Sequence, residues 1–445
     1  MEQINFDNAL KISKETVARW EGISLLTSVT LIRDVFGKIS FLLESKKTDI
    51  DLEALTALLA GRLQGYFGKQ ILVTGMGDDF TKEIIEDIET LRLSYSDNDK
   101  NDSVKWYVLE RPLAKKAWLE LNKNIKPAWG YEDVLLNDYP KIITFYSFKG
   151  GMGRTTALAG VALCLAMQGK KVVMIDTDVE APGAGSLFFD YNEIESGVLD
   201  YIIEKPLEEK IDMKRYLLKV DDQILTSDMN GEIYLMPASK VNENYLQKLA
   251  RIDYQDNRPG YLKSIIEELL NDIKNTITDL DYILLDARAG FHDMGGIVTT
   301  QLSHGVVLFG SQSNQSWDGL KQVVHALARS QSEPLPVAMV SSMCPGFTKA
   351  DYHSYHKSFL EQSYNIFLEE YYFQEEPAPA MMADDEPHTP IAIPWDDDLQ
   401  YNIILYSGNP SDAIEKHRVQ GLRSSLTKDP YKSVTERISQ WFENE

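Results

Sequence analysis

A glycine-rich octapeptide near the middle of the chain has the composition of a phosphate-binding loop. Three glycines, two cations and two adjacent hydroxyls fall on consecutive positions: Lys149, Gly150, Gly151, Met152, Gly153, Arg154, Thr155 and Thr156. Glycines let the backbone turn tightly, so that its N–H groups can approach the oxygens of an anion. This octapeptide, called the phosphate loop below, is therefore the first candidate for chemistry.

The segments on either side of the phosphate loop support the same interpretation. An apolar, β-branched run at 142–146 predicts a strand before it, and an apolar run at 157–167 predicts a helix after it. Strand, glycine-rich turn and helix is the order in which such a loop binds phosphate, because the helix N-terminus favours an anion. The hydroxyl of Thr155 is then placed to coordinate a Mg²⁺ ion held by a nucleotide.

Two further apolar runs end in aspartate. Residues 172–175 lead into Asp176 and Asp178, and residues 282–285 lead into Asp286. A carboxylate at the C-terminal end of a buried strand can hold Mg²⁺ through water. Either run alone is weak evidence, because many strands end in an aspartate that only caps the next loop. After the phosphate loop, both predict parts of one site.

The phosphate loop departs from the standard pattern G-x-x-x-x-G-K-[ST]. Phe148 stands at the first glycine and Arg154 at the lysine. The loop instead resembles the deviant loop of the ParA/MinD family, K-G-G-x-G-K-[ST]-[ST], with arginine for the second lysine. The resemblance extends over roughly residues 141–445. It implies a protein that binds ATP and Mg²⁺, forms an ATP-dependent homodimer and hydrolyses ATP.

The resemblance also implies roles for individual residues. Lys149 would reach the nucleotide of the partner subunit, while residues 150–156 would bind the nucleotide of their own subunit, with Arg154 as the phosphate-contacting cation. Arginine keeps the charge of lysine but is bulkier and offers a planar fork of donors, so slow hydrolysis is expected. Asp178 would orient the attacking water, which makes Lys149 and Asp178 the candidate catalytic residues.

The remaining roles concern the metal, the base and the terminal phosphate. Thr155, Asp176 and Asp286 are the candidate residues for holding Mg²⁺. Relatives often frame the adenine with a strand-end asparagine and a nearby proline; here serines replace the asparagine at 341–342, and Pro394 is the candidate proline. Residues 290–296, called the second switch below, would sense the terminal phosphate.

The elements that must position these residues follow from the texture of the chain. From residue 141 onward, six short apolar runs alternate with helix-like segments, which predicts βαβ units and a mostly parallel sheet. We therefore expect an α/β three-layer P-loop NTPase domain over residues 136–445. Residues 1–135 predict a smaller α-rich or α+β domain, which we expect to bind a protein partner or to couple the ATPase to an effector. Within it, residues 28–63 have helix-like apolar spacing.

The overall composition limits the classes of function. The chain has 445 residues, a net charge of −23 and two cysteines far apart in sequence. An acidic chain lacks the basic surface that nonspecific DNA binding needs, so a nucleic-acid partner is not favoured. No apolar run approaches the ~18 residues of a membrane helix, so no membrane association is expected. Few cysteines and no apolar leader favour a reducing, cytoplasmic compartment.

Three functions are compatible with these features. The first is a regulatory ATPase of a multi-protein bacterial system, such as stress signalling or phage defence, which the extra N-terminal domain favours. The second is an ATPase that partitions or positions DNA or another cargo, which strong salt-sensitive DNA binding would support. The third is a scaffold that binds ATP without hydrolysing it, which ATP turnover by the wild type beside Asp178→Ala would test.

Overall fold

The computed structural model describes residues 3–46, 50–76, 78–95, 103–119, 126–136, 138–208, 210–252, 260–373, 377–399 and 403–443. The chain divides into two compact units, Met1–Leu113 and Ala114–Glu445. This division lies earlier than the boundary predicted near residue 135. The reason is packing, since the second unit buries in its own core the side chains of Ala117, Trp118, Trp129 and Val134.

The first unit is built on a mixed five-stranded sheet with the order β3-β2-β1-β5-β4. Its strands are β1 (Leu26–Arg33), β2 (Ile39–Ser45), β3 (Phe67–Val73), β4 (Leu93–Ser94) and β5 (Lys105–Glu110). Its α-helices are α1 (Ala9–Ala18), α2 (Leu52–Leu63) and α3 (Asp79–Leu91). Helices α1 and α2 share a core with one face of the sheet, and α3 shares a smaller core with the other. Of the two predicted classes, the unit is therefore α+β.

The helix-like spacing of residues 28–63 is a wrong prediction for its first half. Residues there form the antiparallel pair β1 and β2, and only α2 is helical. The turn explains the difference: the Asp34 carboxylate accepts hydrogen bonds from the N–H groups of Phe36 and Lys38, and Gly37 has a φ of 81°. A left-handed glycine inside a polar turn ends any helix and reverses the chain.

The second unit is built on an eight-stranded sheet with the order β13-β12-β11-β6-β10-β7-β9-β8. All neighbours are parallel except β8 and β9. The strands are β6 (Lys141–Ser147), β7 (Lys171–Asp176), β8 (Leu218–Lys219), β9 (Glu232–Met236), β10 (Tyr282–Asp286), β11 (Gly305–Gly310), β12 (Val337–Cys344) and β13 (Ile391–Pro394). The six strands predicted from the apolar runs are all present.

Helices cover both faces of this sheet. They are α4 (Lys116–Leu119), α5 (Tyr131–Leu135), α6 (Arg154–Met167), α7 (Gly185–Phe188), α8 (Val198–Glu204), α9 (Tyr245–Leu249), α10 (Tyr261–Thr276), α11 (Asp293–Gly296), α12 (Asn314–Leu327), α13 (Tyr352–Glu370), α14 (Ala413–Leu426) and α15 (Tyr431–Gln440). Side chains of α8, α10, α12 and α13 share one core with the sheet, and those of α6, α14 and α15 share the other. The predicted three-layer α/β architecture is confirmed. None of the helices in the described ranges is long and apolar enough to span a membrane.

Candidate functional site

The phosphate loop joins the end of β6 to the start of α6. Gly151 and Gly153 have φ values of 71° and 67°, in the left-handed region that side-chain-bearing residues seldom adopt. A Cβ atom at Gly150 or Gly151 would meet no atom within 4 Å, so the space beside the loop is open. Helix α6 begins directly after Gly153 without a side-chain cap, which leaves its first N–H groups for an anion.

Hydroxyl groups hold the phosphate loop in shape from both ends. Ser147 Oγ donates to the carbonyl oxygen of Lys149 at 2.7 Å, and Ser342 Oγ donates to that of Met152 at 2.6 Å. Ser342 lies on β12, where the resemblance led us to expect a base-binding asparagine. The serine therefore supports the loop itself, a role that sequence reasoning missed because the two positions are far apart along the chain.

Phe148 occupies the position of the first glycine in the standard loop. Its ring centroid lies 5.1 Å from that of Phe291, and a Cβ atom at Gly319 of α12 would lie 2.1 Å from the Phe148 ring. Gly319 thus makes room for a side chain that the standard loop does not have. The ring fixes the start of the loop between α12 and the segment after β10.

Arg154 is fixed by three groups around its guanidinium. Nε donates to Asp286 Oδ1 at 2.8 Å, Nη1 donates to Ser147 Oγ at 3.1 Å, and Nη2 lies 3.6 Å from Asp178 Oδ2. The side chains of Arg154 and Asp286 are only 11% and 2% exposed, so solvent screens this ion pair weakly. The planar fork of arginine makes all three contacts at once, which the single ammonium of lysine could not.

The oxygens of Thr155 and Asp286 lie side by side. Thr155 Oγ1 donates to Asp286 Oδ2 at 2.5 Å. A hydroxyl next to a carboxylate fits Mg²⁺, which takes oxygen ligands and is held by few protein groups together with substrate phosphates. Within the described ranges, no group of three or more His, Cys, Asp or Glu residues could hold a metal ion by itself.

Asp176 is fully buried, and backbone groups use both of its oxygens. Oδ1 accepts from the N–H of Asp178 at 3.1 Å, and Oδ2 accepts from those of Gly183 and Ala184 at 2.9 and 3.0 Å. Burial raises the pKa of Asp176, and the nearby Asp286 carboxylate raises it further. These contacts favour a structural role, in which Asp176 shapes the loop that carries Asp178, over direct metal binding.

Asp178 lies between two arginines. Its Oδ1 accepts from the N–H of Ala181 at 3.1 Å and lies 3.6 Å from Nη1 of Arg288, while Oδ2 faces Arg154. Burial raises the pKa of this carboxyl, and the Ala181 hydrogen bond and the two guanidinium groups oppose that shift. The predicted water-orienting residue is therefore held in a defined orientation beside Arg154.

Arg288, Glu180 and His292 extend this cluster; His292 belongs to the predicted second switch, whereas sequence reasoning did not assign Arg288 or Glu180. Arg288 Nη1 lies 2.7 Å from Glu180 Oε2, and Nε2 of His292 lies 2.7 Å from Glu180 Oε1. Glu180 follows Asp178 by two residues and Arg288 follows Asp286 by two residues, a shared spacing that could have flagged both. The pairing connects the segment after β7 to the segment after β10.

Lys149 and Pro394 lie at the margins of the cluster. Lys149 Nζ donates to Ser313 Oγ at 3.4 Å, a long hydrogen bond that holds the side chain weakly. Pro394 ends β13 beside Cys344 of β12, at the edge of the sheet where Ser342 supports the phosphate loop. Near it, Met343 is 41% exposed and would lie 3.9 Å from a Cβ atom at Gly153.

Part of the chain is similar in sequence to known ATP-binding proteins. Residues 140–336 match the model of an AAA domain family. An uncharacterized ATP-binding protein of Methanocaldococcus jannaschii is 32% identical over 152 residues, which are 34% of this chain and 46% of that protein. The septum site-determining protein MinD of Thermotoga maritima is 28% identical over 149 residues, 34% of this chain and 44% of that protein.

Solved structures give matches of wider coverage and lower identity. The crystal structure of a ParA family ATPase from Chlorobium tepidum covers 67% of this chain and 98% of its own, with 15% identity and a TM-score of 0.43. The chain spans less than half the length of the two curated relatives named above.

Proposed function

We propose that this chain, which is similar over part of its length to an AAA domain family and to MinD, is a ParA/MinD-like, Mg²⁺-ATP-dependent switch that dimerises around ATP and hydrolyses it slowly. One observation carries the proposal: Arg154, Thr155, Asp178 and Asp286 meet within contact distance at the carboxyl ends of β6, β10 and β7. In open parallel sheets, ligands bind at that edge.

The nucleotide would be held chiefly by the phosphate loop. The backbone N–H groups of residues 150–156 and the start of α6 would bind the phosphates, and Arg154 would balance their charge. Thr155 and Asp286 would hold Mg²⁺, which when bound neutralises charge on the transferred phosphoryl group. Pro394 is proposed to border the base, from its place beside β12.

Slow turnover follows from the partners of Arg154. Its guanidinium pairs with Asp286 and Asp178, so the phosphates of ATP compete with two carboxylates for the same cation. Asp178 would orient the attacking water. Its carboxylate can move only when its ion pair with Arg154 changes. Catalysis would rest on electrostatic stabilisation and positioning, as in other phosphoryl-transfer sites.

Dimer formation would depend on Lys149. The long hydrogen bond to Ser313 costs little to break, so the side chain is available to a partner's nucleotide. The test is the size of the protein in solution with and without ATP and Mg²⁺, for the wild type and Lys149→Ala. We expect the wild type to dimerise with ATP, and the variant to bind ATP yet stay monomeric.

A matched control is Ser313→Ala, which removes the contact of Lys149 within its own chain and should still dimerise. Equal loss of ATP binding and dimerisation in Lys149→Ala would contradict the assignment of this lysine to the partner's site.

For the biological role, we propose a regulatory ATPase of a multi-protein bacterial system, such as stress signalling or phage defence. The separate unit Met1–Leu113, with its own sheet and core, supports a module that binds a protein partner. Affinity purification of the full chain with ATP, compared with ADP, tests this: an ATP-dependent partner is expected. Recovery of the same proteins in both states would count against it.

The second candidate is a positioning ATPase, which the similarity to MinD favours because that relative is named for septum-site determination. An ATP-binding scaffold without turnover is the third, and Asp178→Ala separates it from the other two. If the wild type hydrolyses ATP and this variant binds but does not hydrolyse, the scaffold is excluded.

A further inference from the structure

The first residues of the second unit contact the second switch directly. Ala114 begins this unit, and the backbone N–H of Lys115 donates to Asp293 Oδ1 at 2.5 Å. The ammonium of the same lysine lies 2.7 Å from Asp293 Oδ2. Both carboxylate oxygens of Asp293, in the second switch, therefore contact Lys115, in the chain segment that leads out of the first unit.

Trp118 makes the second contact with the same switch. Its Nε1 donates to the carbonyl oxygen of His292 at 2.9 Å, and its ring centroid lies 5.4 Å from that of Phe291 and 5.2 Å from that of Tyr146. A Cβ atom at Gly296 would lie 2.8 Å from Trp118 Nε1. A glycine is therefore needed where α11 passes under the indole.

The backbone of this segment is held in an unfavourable conformation. Lys115 has a φ of 65°, in the left-handed region that is costly for any residue with a Cβ atom. Such a conformation persists where the surrounding contacts impose it, and residues held in such conformations cluster at functional sites. Here the contacts come from Asp293, and Thr300 Oγ1 adds a hydrogen bond to the carbonyl oxygen of Ala117 at 2.9 Å.

The same switch also contacts the candidate nucleotide site. Tyr146, which packs against Trp118, donates its hydroxyl proton to the carbonyl oxygen of Gly290 at 2.9 Å. His292 pairs with Glu180, which pairs with Arg288 beside Asp178. A continuous series of contacts thus runs from the predicted water-orienting carboxylate to Lys115.

We propose that residues 115–118 form a latch that is held or released according to the nucleotide state of the second switch. This inference rests on the proposed function. Any movement of residues 290–296 changes the Asp293 and His292 contacts together, and hydrogen bonds weaken steeply with distance and angle. The first unit ends at Leu113, two positions before the latch. The latch therefore couples the nucleotide state to the peptide that leaves the first unit.

Hydrogen–deuterium exchange on the full-length protein tests the latch. Spectra are compared without nucleotide, with ADP and with ATP plus Mg²⁺. The Lys115 amide donates to a charged carboxylate, so making or breaking that bond should change exchange at residues 115–118 about tenfold. We expect this change to occur together with a change at residues 290–296. Exchange at 115–118 that is the same in all three states, while the phosphate loop is protected by nucleotide, would overturn the latch.

Two matched variants give an independent measurement. Lys115→Met removes the Asp293 ion pair, and Lys170→Met removes a comparable half-exposed pair with Asp281, which precedes β10 at the other end of the sheet. Because coupling between sites is reciprocal, weakening the latch must change the ratio of ATP to ADP affinity. We expect a change of about two- to fivefold in Lys115→Met and none in Lys170→Met. Equal ratios in both variants and the wild type would overturn the coupling.

The two proposals fail in different ways. If no nucleotide protects residues 149–156, the proposed function fails and the latch fails with it. If nucleotide protects those residues and residues 115–118 do not respond, only the latch fails.

Discussion

Arg154 shows how one substitution in a loop reorganises the side chains around it. Its fork contacts Ser147, Asp178 and Asp286, and the positions of those partners suit a planar donor group. A hydrogen bond between charged groups contributes about 1.5–3 kcal/mol, and a buried carboxylate without its cation is costly. The proposed function thus gives the arginine two duties: it holds the apposed carboxylates, and it is proposed to bind phosphate.

These two duties make Arg154 variants informative. We expect Arg154→Ala to lower ATP affinity roughly 100-fold, from the loss of about 3 kcal/mol of charge-assisted contact. It should also lower the unfolding temperature, because Asp286 remains buried without its cation. Arg154→Lys should keep most of the affinity, since the charge remains. Calorimetric titration with ATP and thermal unfolding measure both quantities, and equal affinities for the alanine and lysine variants would contradict a phosphate-binding role.

At this scale the sequence predicted some parts of the candidate site and not others. The phosphate loop, Asp178 and Asp286 could be recognised in the sequence, because each ends or closely follows an apolar strand and the spacing is local. Ser342, Glu180 and Arg288 could not be recognised, because a serine or a charged residue is common and the partner of each lies far away in sequence. Asp176 was predicted to help hold the metal, and in the structure its carboxylate accepts hydrogen bonds from the backbone of its own loop.

At the scale of elements, a buried histidine ties the segment before β6 to the start of β11. His304 is fully buried; its Nδ1 accepts from the N–H of Ile142 at 3.0 Å, and its Nε2 lies 3.0 Å from the carbonyl oxygen of Trp129. The ring is therefore neutral, with its proton on Nε2. Burial lowers the pKa of His304 to about 4, and the Lys141 ammonium acts in the same direction.

This histidine predicts a pH dependence of stability. A pKa lowered from 6.5 to about 4 means that the unfolded chain binds the proton first, so stability is full above pH 6.5 and is lost as pH falls towards 4. The loss from this group is roughly 3 kcal/mol. Denaturant unfolding at pH 7 and pH 5 measures the larger part of this loss, about 2 kcal/mol. We expect His304→Asn to be less stable at pH 7 and to show a smaller fall, whereas the exposed His417→Asn should follow the wild type.

Element prediction succeeded where apolar runs were long and bounded. Five of the six predicted strands of the second unit are buried on both faces, which produces nearly continuous apolar runs, whereas β9 has the half-buried Glu232 and Tyr234 on one face. The short edge strands β8 and β13 escaped notice because two or four residues carry no period. The β1 and β2 pair was taken for helix, since leucines and isoleucines on both faces of that sheet imitate a helical spacing.

At the scale of the whole molecule, the net charge of −23 bears on partners. Nonspecific DNA binding depends on phosphate counterion release, and its affinity falls steeply with salt. We expect no salt-sensitive shift of duplex DNA by the full chain with ATP and Mg²⁺ near physiological ionic strength. An ATP-dependent shift that weakens as salt rises would favour the positioning ATPase over the regulatory one.

The packing of Phe148 against Gly319 has a consequence for recognising related sequences. The Phe148 ring fills the space that a methyl group at position 319 of α12 would need. Neither residue can therefore be replaced freely without a change in the other. A sequence with a bulky residue before the loop lysine should also have a glycine about 170 positions later, at the second turn of α12, a spacing read here from Phe148 and Gly319. The signature of this loop type is therefore bipartite, and a motif restricted to eight consecutive residues describes only half of it.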